Sequence, residues 1–330
     1  MLALKDFSES DMKSIMNTTI TVVGAGGLGS PALRLLTAIG FGKIRIIDRD
    51  IVELSNIQRQ TIYNTQDIGE PKVEAAATNL KLINPNIEFE PICISIREEN
   101  VIDLLKKTDI ILDGLDSFKA RRAVNRASQE LRVPYIFAGA VEYYANLSTF
   151  VPGKTGCLNC VMGSAEDNPN NTCAQVGVTP TLLSLAAAVE VNEAIRLATG
   201  REPTLGNRLM TIDSGSLTFD FFDIGKSEEC PICSKSGQSE VAETNEISVT
   251  QLCSQSYNIS PPKIESLDLK ELAQKLDQSY SIKSTGRSIL VTFATGEKVT
   301  LMASGSAIIK GVDTADDAIR LYELTLSKNS

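Results

Sequence analysis

The sequence predicts an α/β protein: a Rossmann-like, mostly parallel sheet with an antiparallel extension, followed by a small C-terminal α+β module. Three observations carry this. A short apolar run at 20–23 passes through a glycine-rich turn into a helix-periodic segment at 32–39. Apolar strands and helix-length segments then alternate up to about residue 138. Beyond Glu142 the pattern changes towards antiparallel-looking strands.

In order, the apolar run 43–47 reads as a second strand ending at Asp48. Residues 71–82 read as a helix with Pro71 in its first turn, where a missing N–H costs least. Strands at 88–94, 109–112 and 135–138 alternate with helices at 101–106 and 118–131. Short βα connections of this kind imply parallel strands covered on both faces. Ligands in such sheets lie beyond the carboxyl ends of the strands, where the glycine turn, Asp48 and Asp113–Asp116 all fall. Strands at 145–150, 209–213 and 217–222 form the extension. A polar stretch at 163–172 separates them, and Thr179-Pro180 caps an apolar helix running to about 198. Residues 236–262, rich in Ser, Glu, Asn and Gln, read as a linker between a main domain over 1–235 and the α+β module over 263–330. That module reads as a helix at 267–276, strands at 288–293, 298–302 and 307–309, and a closing helix from 315.

A chain of 330 residues is long enough for this division, and its net charge of −9 argues against nucleic acid or an anionic membrane as the main partner. The most apolar segment, 182–198, is broken by Glu190 and Glu193, so no membrane span is expected. Residues 1–17 lack the apolar core of a signal peptide, which makes cytoplasm the expected compartment. Histidine is absent, which excludes Ser-His-Asp and Cys-His catalysis and imidazole metal ligands.

Gly24, Gly26 and Gly29 stand in G-x-G-x-x-G spacing, with Gly27 between them. Such a turn lets the backbone approach a phosphate at a helix N-terminus, and NAD, FAD and ATP users share it. Asp48 lies about twenty residues further on, where an acidic residue bonds a ribose hydroxyl; Asp50 follows. Arg59 and Lys72 are cations for a polyphosphate, against the alternative of solvated surface charges. Asp116, past a strand end, suits Mg²⁺ or else caps the helix at 118. Cys157-x-x-Cys160 and Cys230-x-x-Cys233 form two knuckles, a four-thiolate set for structural zinc. Cys93 reads as core, and Cys253 carries no motif.

Taken together, Gly24-Ala-Gly-Gly-Leu-Gly29, Asp48-Arg-Asp50, Ser55-Asn-Ile-Gln-Arg-Gln60, Gly69-Glu-Pro-Lys72 and the two cysteine pairs resemble the ThiF/MoeB/HesA superfamily, the ubiquitin-activating-enzyme-like adenylyltransferases, over roughly 18–235. The resemblance implies ATP- and Mg²⁺-dependent adenylation of the C-terminal glycine of a ubiquitin-like or sulfur-carrier protein, by a homodimer. It implies Asp48 on the ribose, Asn56, Arg59 and Lys72 on the phosphates, Asp116 on Mg²⁺ and Gln60 in support. Cys173, in the polar loop, implies a thioester or acyl persulfide with onward transfer to a conjugating enzyme. The alternatives are a loop-packing cysteine in an enzyme that stops at the adenylate for thiamin, molybdopterin or tRNA-thiolation sulfur carriers, and, from another class, a nicotinamide or flavin oxidoreductase. Two departures from the family pattern stand out: no arginine precedes Arg34 to reach a partner subunit's ATP, and the tail has no rhodanese loop for sulfur transfer. The tail is expected instead to recruit a partner.

Overall fold

In a computed structural model, the described residues are 1–163, 176–234, 247–252, 256–261, 266–276, 280–284 and 288–327. Eight strands form the main sheet: β1 (Thr19–Val23), β2 (Lys43–Asp48), β3 (Glu88–Cys93), β4 (Ile110–Asp113), β5 (Tyr135–Val141), β6 (Tyr144–Phe150), β7 (Arg208–Asp213) and β8 (Thr218–Asp223). Their order is β3-β2-β1-β4-β5-β6-β7-β8. Pairings from β3 through β5 are parallel, and those from β5 through β8 antiparallel. This is the expected sheet and extension. β1 and β4 are buried along almost their whole length, as continuous apolar runs in a doubly covered sheet must be.

Helices α1 (Glu9–Asn17), α2 (Gly29–Ile39) and α3 (Lys72–Lys81) cover one face, with α4 (Val101–Leu105), α5 (Phe118–Leu131) and α6 (Leu158–Met162) on the other. Helix α7 (Pro180–Ala198), capped by Thr179 as expected, packs across α2 and β5. Helix α1 was not foreseen. Ser8 and Asp11 cap it reciprocally, and Arg201, paired with Asp11 and stacked on Phe7, ties it down from beyond α7.

The second sheet runs β11-β12-β13-β14-β10-β9, built from β9 (Ser248–Leu252), β10 (Ser256–Ser260), β11 (Ser281–Ser284), β12 (Ser288–Thr292), β13 (Lys298–Met302) and β14 (Ala307–Lys310). Helices α8 (Leu269–Lys275) and α9 (Ala315–Ser327) close an apolar core around Ile259, Ile289, Val291, Leu301, Ile309 and Tyr322. The expected linker over 236–262 is therefore corrected, because two strands of this sheet lie inside it. Its polar residues mimic a linker, yet Ser256, Asn258 and Ser260 are all buried. Asn258 Oδ1 and Ser260 Oγ bond Ser95 of the main domain, which gives these two oxygens partners away from water.

Candidate functional site

The glycine turn is shaped by backbone contact with the next strand. Gly24 N donates to Ile47 O, and Gly114 N to Val23 O, each at 2.7 Å. A Cβ on Gly24, at φ +95°, would lie 2.3 Å from Gly114 O; one on Gly114 would lie 2.2 Å from Gly24 O, and one on Gly29 only 1.9 Å from it. These three positions interlock and admit no side chain. Gly26 differs: its Cβ would meet only Gln60 Nε2, at 3.9 Å, so its missing side chain leaves open space above the turn. Gly27 packs on Leu183. Behind the turn α2 begins without a side-chain cap, and no acidic residue stands in its first turn. Uncapped N–H groups at a helix N-terminus are anion donors.

Asp48, at the end of β2, faces this turn. Its Oδ2 accepts from Ala25 N at 2.7 Å and its Oδ1 from Asp50 N at 2.8 Å, while Tyr63 Oη donates to Ala25 O at 2.9 Å. Residues 69–72 pair back on 50–52, Lys72 N donating to Asp50 O at 2.9 Å, and this brings Lys72 against the acidic pair. Lys72 is 6% exposed, with Nζ 3.1 Å from Asp50 Oδ2. It is no solvated surface charge. Burial raises the Asp48 carboxyl above its usual range despite Lys72. For Asp50 burial pushes the same way, but the adjoining Lys72 and Arg49 charges outweigh it and hold the carboxyl below its usual range. For Lys72 burial pulls downward, and Asp50 and Asp48 overcome it, raising the ammonium above its ordinary value.

Asn56 sits in a 3₁₀ turn (Leu54–Asn56), where its Oδ1 accepts from Glu53 N at 3.0 Å. Arg59 and Gln60 follow directly. The Arg59 guanidinium donates to Ser55 O and forms no ion pair among the described residues. Gln60 Oε1 and Asp50 Oδ1 are buried without a hydrogen-bond partner, orphans of the kind a bound polar ligand satisfies. Asp116 is exposed beyond β4, near enough to Lys72 for attraction. It is not the helix cap, because Ser117 Oγ takes that place by accepting from Ala120 N.

The model of the ThiF family matches residues 1–232, most of the chain and all of the main sheet. The chain belongs to the ThiF family. Among its relatives, the SAMP-activating enzyme E1 of Haloferax volcanii is 30% identical over 224 residues, covering 68% of this chain and 83% of that protein. The sulfur carrier protein ThiS adenylyltransferase of Bacillus subtilis is 28% identical over 324 residues, 95% of this chain and 94% of its own, so its match extends through the C-terminal module. The crystal structure of Escherichia coli MccB with ATP superimposes with a TM-score of 0.61 at 26% identity, covering 68% of this chain and 69% of that one. Fold, family and the adenylyltransferase class of its relatives thus agree with the sequence reading.

The second constellation of this ThiF-family chain is its four cysteines. The Sγ atoms of Cys157, Cys160, Cys230 and Cys233 lie within 4.8 Å of one another, with Cys157–Cys230 at 3.7 Å and Cys160–Cys233 at 3.4 Å. Tetrahedral zinc–thiolate bonds of about 2.3 Å place sulfurs about 3.8 Å apart, so the donor set fits zinc. Asn125 Nδ2, Asn159 Nδ2 and Ser227 N donate to three of the sulfurs, which favours thiolates. Cys173, the proposed acyl acceptor, lies outside the described residues.

Sequence reasoning missed several supporting groups. Gly114 falls outside the G-x-G-x-x-G pattern, though it follows a strand-ending Asp in Asp113-Gly114. Tyr63 gave no signal. Beneath the site Asp113 Oδ2 takes bonds from Arg121 Nε (3.0 Å) and Tyr135 Oη (2.5 Å), a buried set in which Asp113 reads only as a strand end. Near it Glu190 of α7 is fully buried with neither oxygen hydrogen-bonded to a side chain, whereas Glu193, one turn on, accepts from Thr149, Thr204 and Leu205.

Proposed function

We propose that this chain binds ATP over the Gly24–Gly29 turn and adenylates the C-terminal glycine of a ubiquitin-like or sulfur-carrier protein. The observation that carries the reading is the open space above Gly26, where a Cβ would meet only Gln60 Nε2, with Asp48 bonded to the adjoining Ala25 N and with Asp50 Oδ1 and Gln60 Oε1 buried without a hydrogen-bond partner. In this reading Asp48 holds the ribose, with Asp50 fixing Lys72. Asn56, Arg59 and Lys72, supported by Gln60, hold the phosphates, so Arg59 and Lys72 offset the charge on the phosphates during transfer. Asp116 would hold Mg²⁺, which when bound neutralises polyphosphate charge. The Cys157, Cys160, Cys230 and Cys233 thiolates would hold a structural zinc.

The glycine carboxylate oxygen attacks the α-phosphorus, a P–O bond forms, and the bond to the bridging oxygen of pyrophosphate breaks. The nucleophile is already an anion at neutral pH, so no base is needed, in keeping with a chain free of histidine. An oxidoreductase built on the same turn would leave Arg59, Lys72 and the four cysteines without a role. The strand β8, at the sheet edge, exposes Phe219, Phe221 and Phe222 and is a surface on which a protein substrate or a second copy of this chain could pair. No helix among the described residues is long and apolar enough to cross a membrane.

Intact-mass measurement after incubation with ATP, Mg²⁺ and a ubiquitin-fold protein tests the proposal. Pyrophosphate release that disappears in Lys72→Met is the expected result; no ATP-dependent pyrophosphate release with any such protein overturns it. A thiol-cleavable adduct lost in Cys173→Ala assigns Cys173 as acyl acceptor and points to a conjugating enzyme. Release without an adduct assigns an enzyme that stops at the adenylate.

A further inference from the structure

The C-terminal module does not stand apart from the nucleotide site. Its contacts with the main domain gather at the carboxyl ends of β2 and β3, the strands that deliver the acidic pair. Ile51, one residue past Asp50, is buried against Met302 and Ile308. The carbonyl of Cys93, the register partner of Asp48, accepts from Ser304 Oγ at 2.7 Å and Ser306 Oγ at 3.4 Å. Ser95 Oγ donates to Asn258 Oδ1 at 2.8 Å, and Arg97 Nη2 to Pro261 O at 2.9 Å. The β13–β14 hairpin thus clamps both strand ends from outside.

One charged contact reaches further. Lys310, the last residue of β14, pairs with Glu53. Glu53 in turn holds Asn56 by two bonds: Glu53 N donates to Asn56 Oδ1 at 3.0 Å, and Asn56 N donates to Glu53 O at 2.9 Å. Asn56 O then accepts from both Arg59 N (3.1 Å) and Gln60 N (3.0 Å). A continuous path runs from the C-terminal sheet to the residues read above as phosphate ligands. The Lys310 ammonium is also close enough for its charge to act on Asp50.

We infer that Lys310 is a positioning residue of the nucleotide site, and that the β13–β14 hairpin is a wall of that site supplied by the C-terminal module. The inference rests on the nucleotide reading given above. It requires that Glu53, once released, lets the turn carrying Asn56, Arg59 and Gln60 move away from the phosphates, and small displacements of ligand-holding groups are costly. Lys310 touches no reacting atom in this account.

The test measures ATP affinity by calorimetry and KM values by ATP–pyrophosphate exchange on the full chain. Lys310→Met is expected to raise Kd and KM for ATP about tenfold, with KM for the protein substrate unchanged and Lys310→Arg close to wild type. The charge-swapped pair Glu53→Lys with Lys310→Glu is expected to recover ATP affinity that either substitution alone loses. Wild-type protein that fails to bind ATP overturns the nucleotide reading itself. Wild-type protein that binds ATP while Lys310→Met binds it equally well overturns only the role of Lys310. A parallel rise in both KM values with a lowered melting temperature also overturns it, since a purely structural part has that signature.

Discussion

At the scale of single residues, burial and partners decide what each charged group does. Lys72 and Arg59 look alike in a sequence. The first is buried against Asp50 because residues 69–72 fold back on 50–52, a pairing that no local pattern encodes. Glu190 and Glu193 pose the same problem on one apolar helix. Glu193 stitches α7 to Thr149 and to the backbone at 204–205, whereas burial pushes the Glu190 carboxyl well above its ordinary range, close to Asp113 and Arg121. A carboxyl whose folded pKa is raised keeps its proton in the native state while the unfolded chain loses it. Stability therefore falls as pH rises from the unfolded value toward the folded one, by up to about 1.4 kcal/mol per pH unit. Glu190→Gln is expected to remove this slope. Urea unfolding across pH 4–8 checks it: the variant should gain on wild type steadily as pH rises above the ordinary glutamate range. An equal offset at every pH would show that Glu190 is not held protonated.

At the scale of elements, the glycine turn separates two kinds of necessity. Gly24, Gly29 and Gly114 are required because backbones meet there, whereas Gly26 faces open space, which the proposed nucleotide would fill. Gly24→Ala, with its Cβ driven into Gly114 O at positive φ, is expected to cost several kcal/mol and to lower the melting temperature sharply. Gly26→Ala is expected to fold with near-wild-type melting while losing ATP binding, as calorimetry beside thermal denaturation would show. Equal melting losses in the two variants would remove the distinction. The strands of the parallel half were legible because a doubly covered sheet demands unbroken apolar runs. The two strands at 248–260 were not: β10 is buried on both faces, yet alternates Ser and Asn with Tyr257 and Ile259, and Asn258 and Ser260 find their partner, Ser95, in the other domain. The convergence of the four cysteines was legible from spacing alone, since two Cys-x-x-Cys pairs are seldom chance neighbours.

At the scale of the whole molecule, the two sheets meet at the carboxyl ends of β2 and β3. If the β13–β14 hairpin is a wall of the site, ATP bound beside Asp48 must steady it, because a ligand that binds only the assembled form stabilises every part of that form. Amide exchange at residues 299–310 is therefore expected to slow when ATP is added, together with exchange at 24–60. Protection confined to the glycine turn and Lys72 would mean that the module is only a neighbour. This placement has a consequence in time. The glycine turn and the Asn56–Gln60 segment leave the ribosome roughly 250 residues before Lys310 does, a delay on the order of 10–50 s at ordinary synthesis rates. Throughout that interval the turn carrying Asn56, Arg59 and Gln60 lacks the Lys310–Glu53 contact that we infer positions it. A growing chain would thus hold ATP more weakly until its far end arrives.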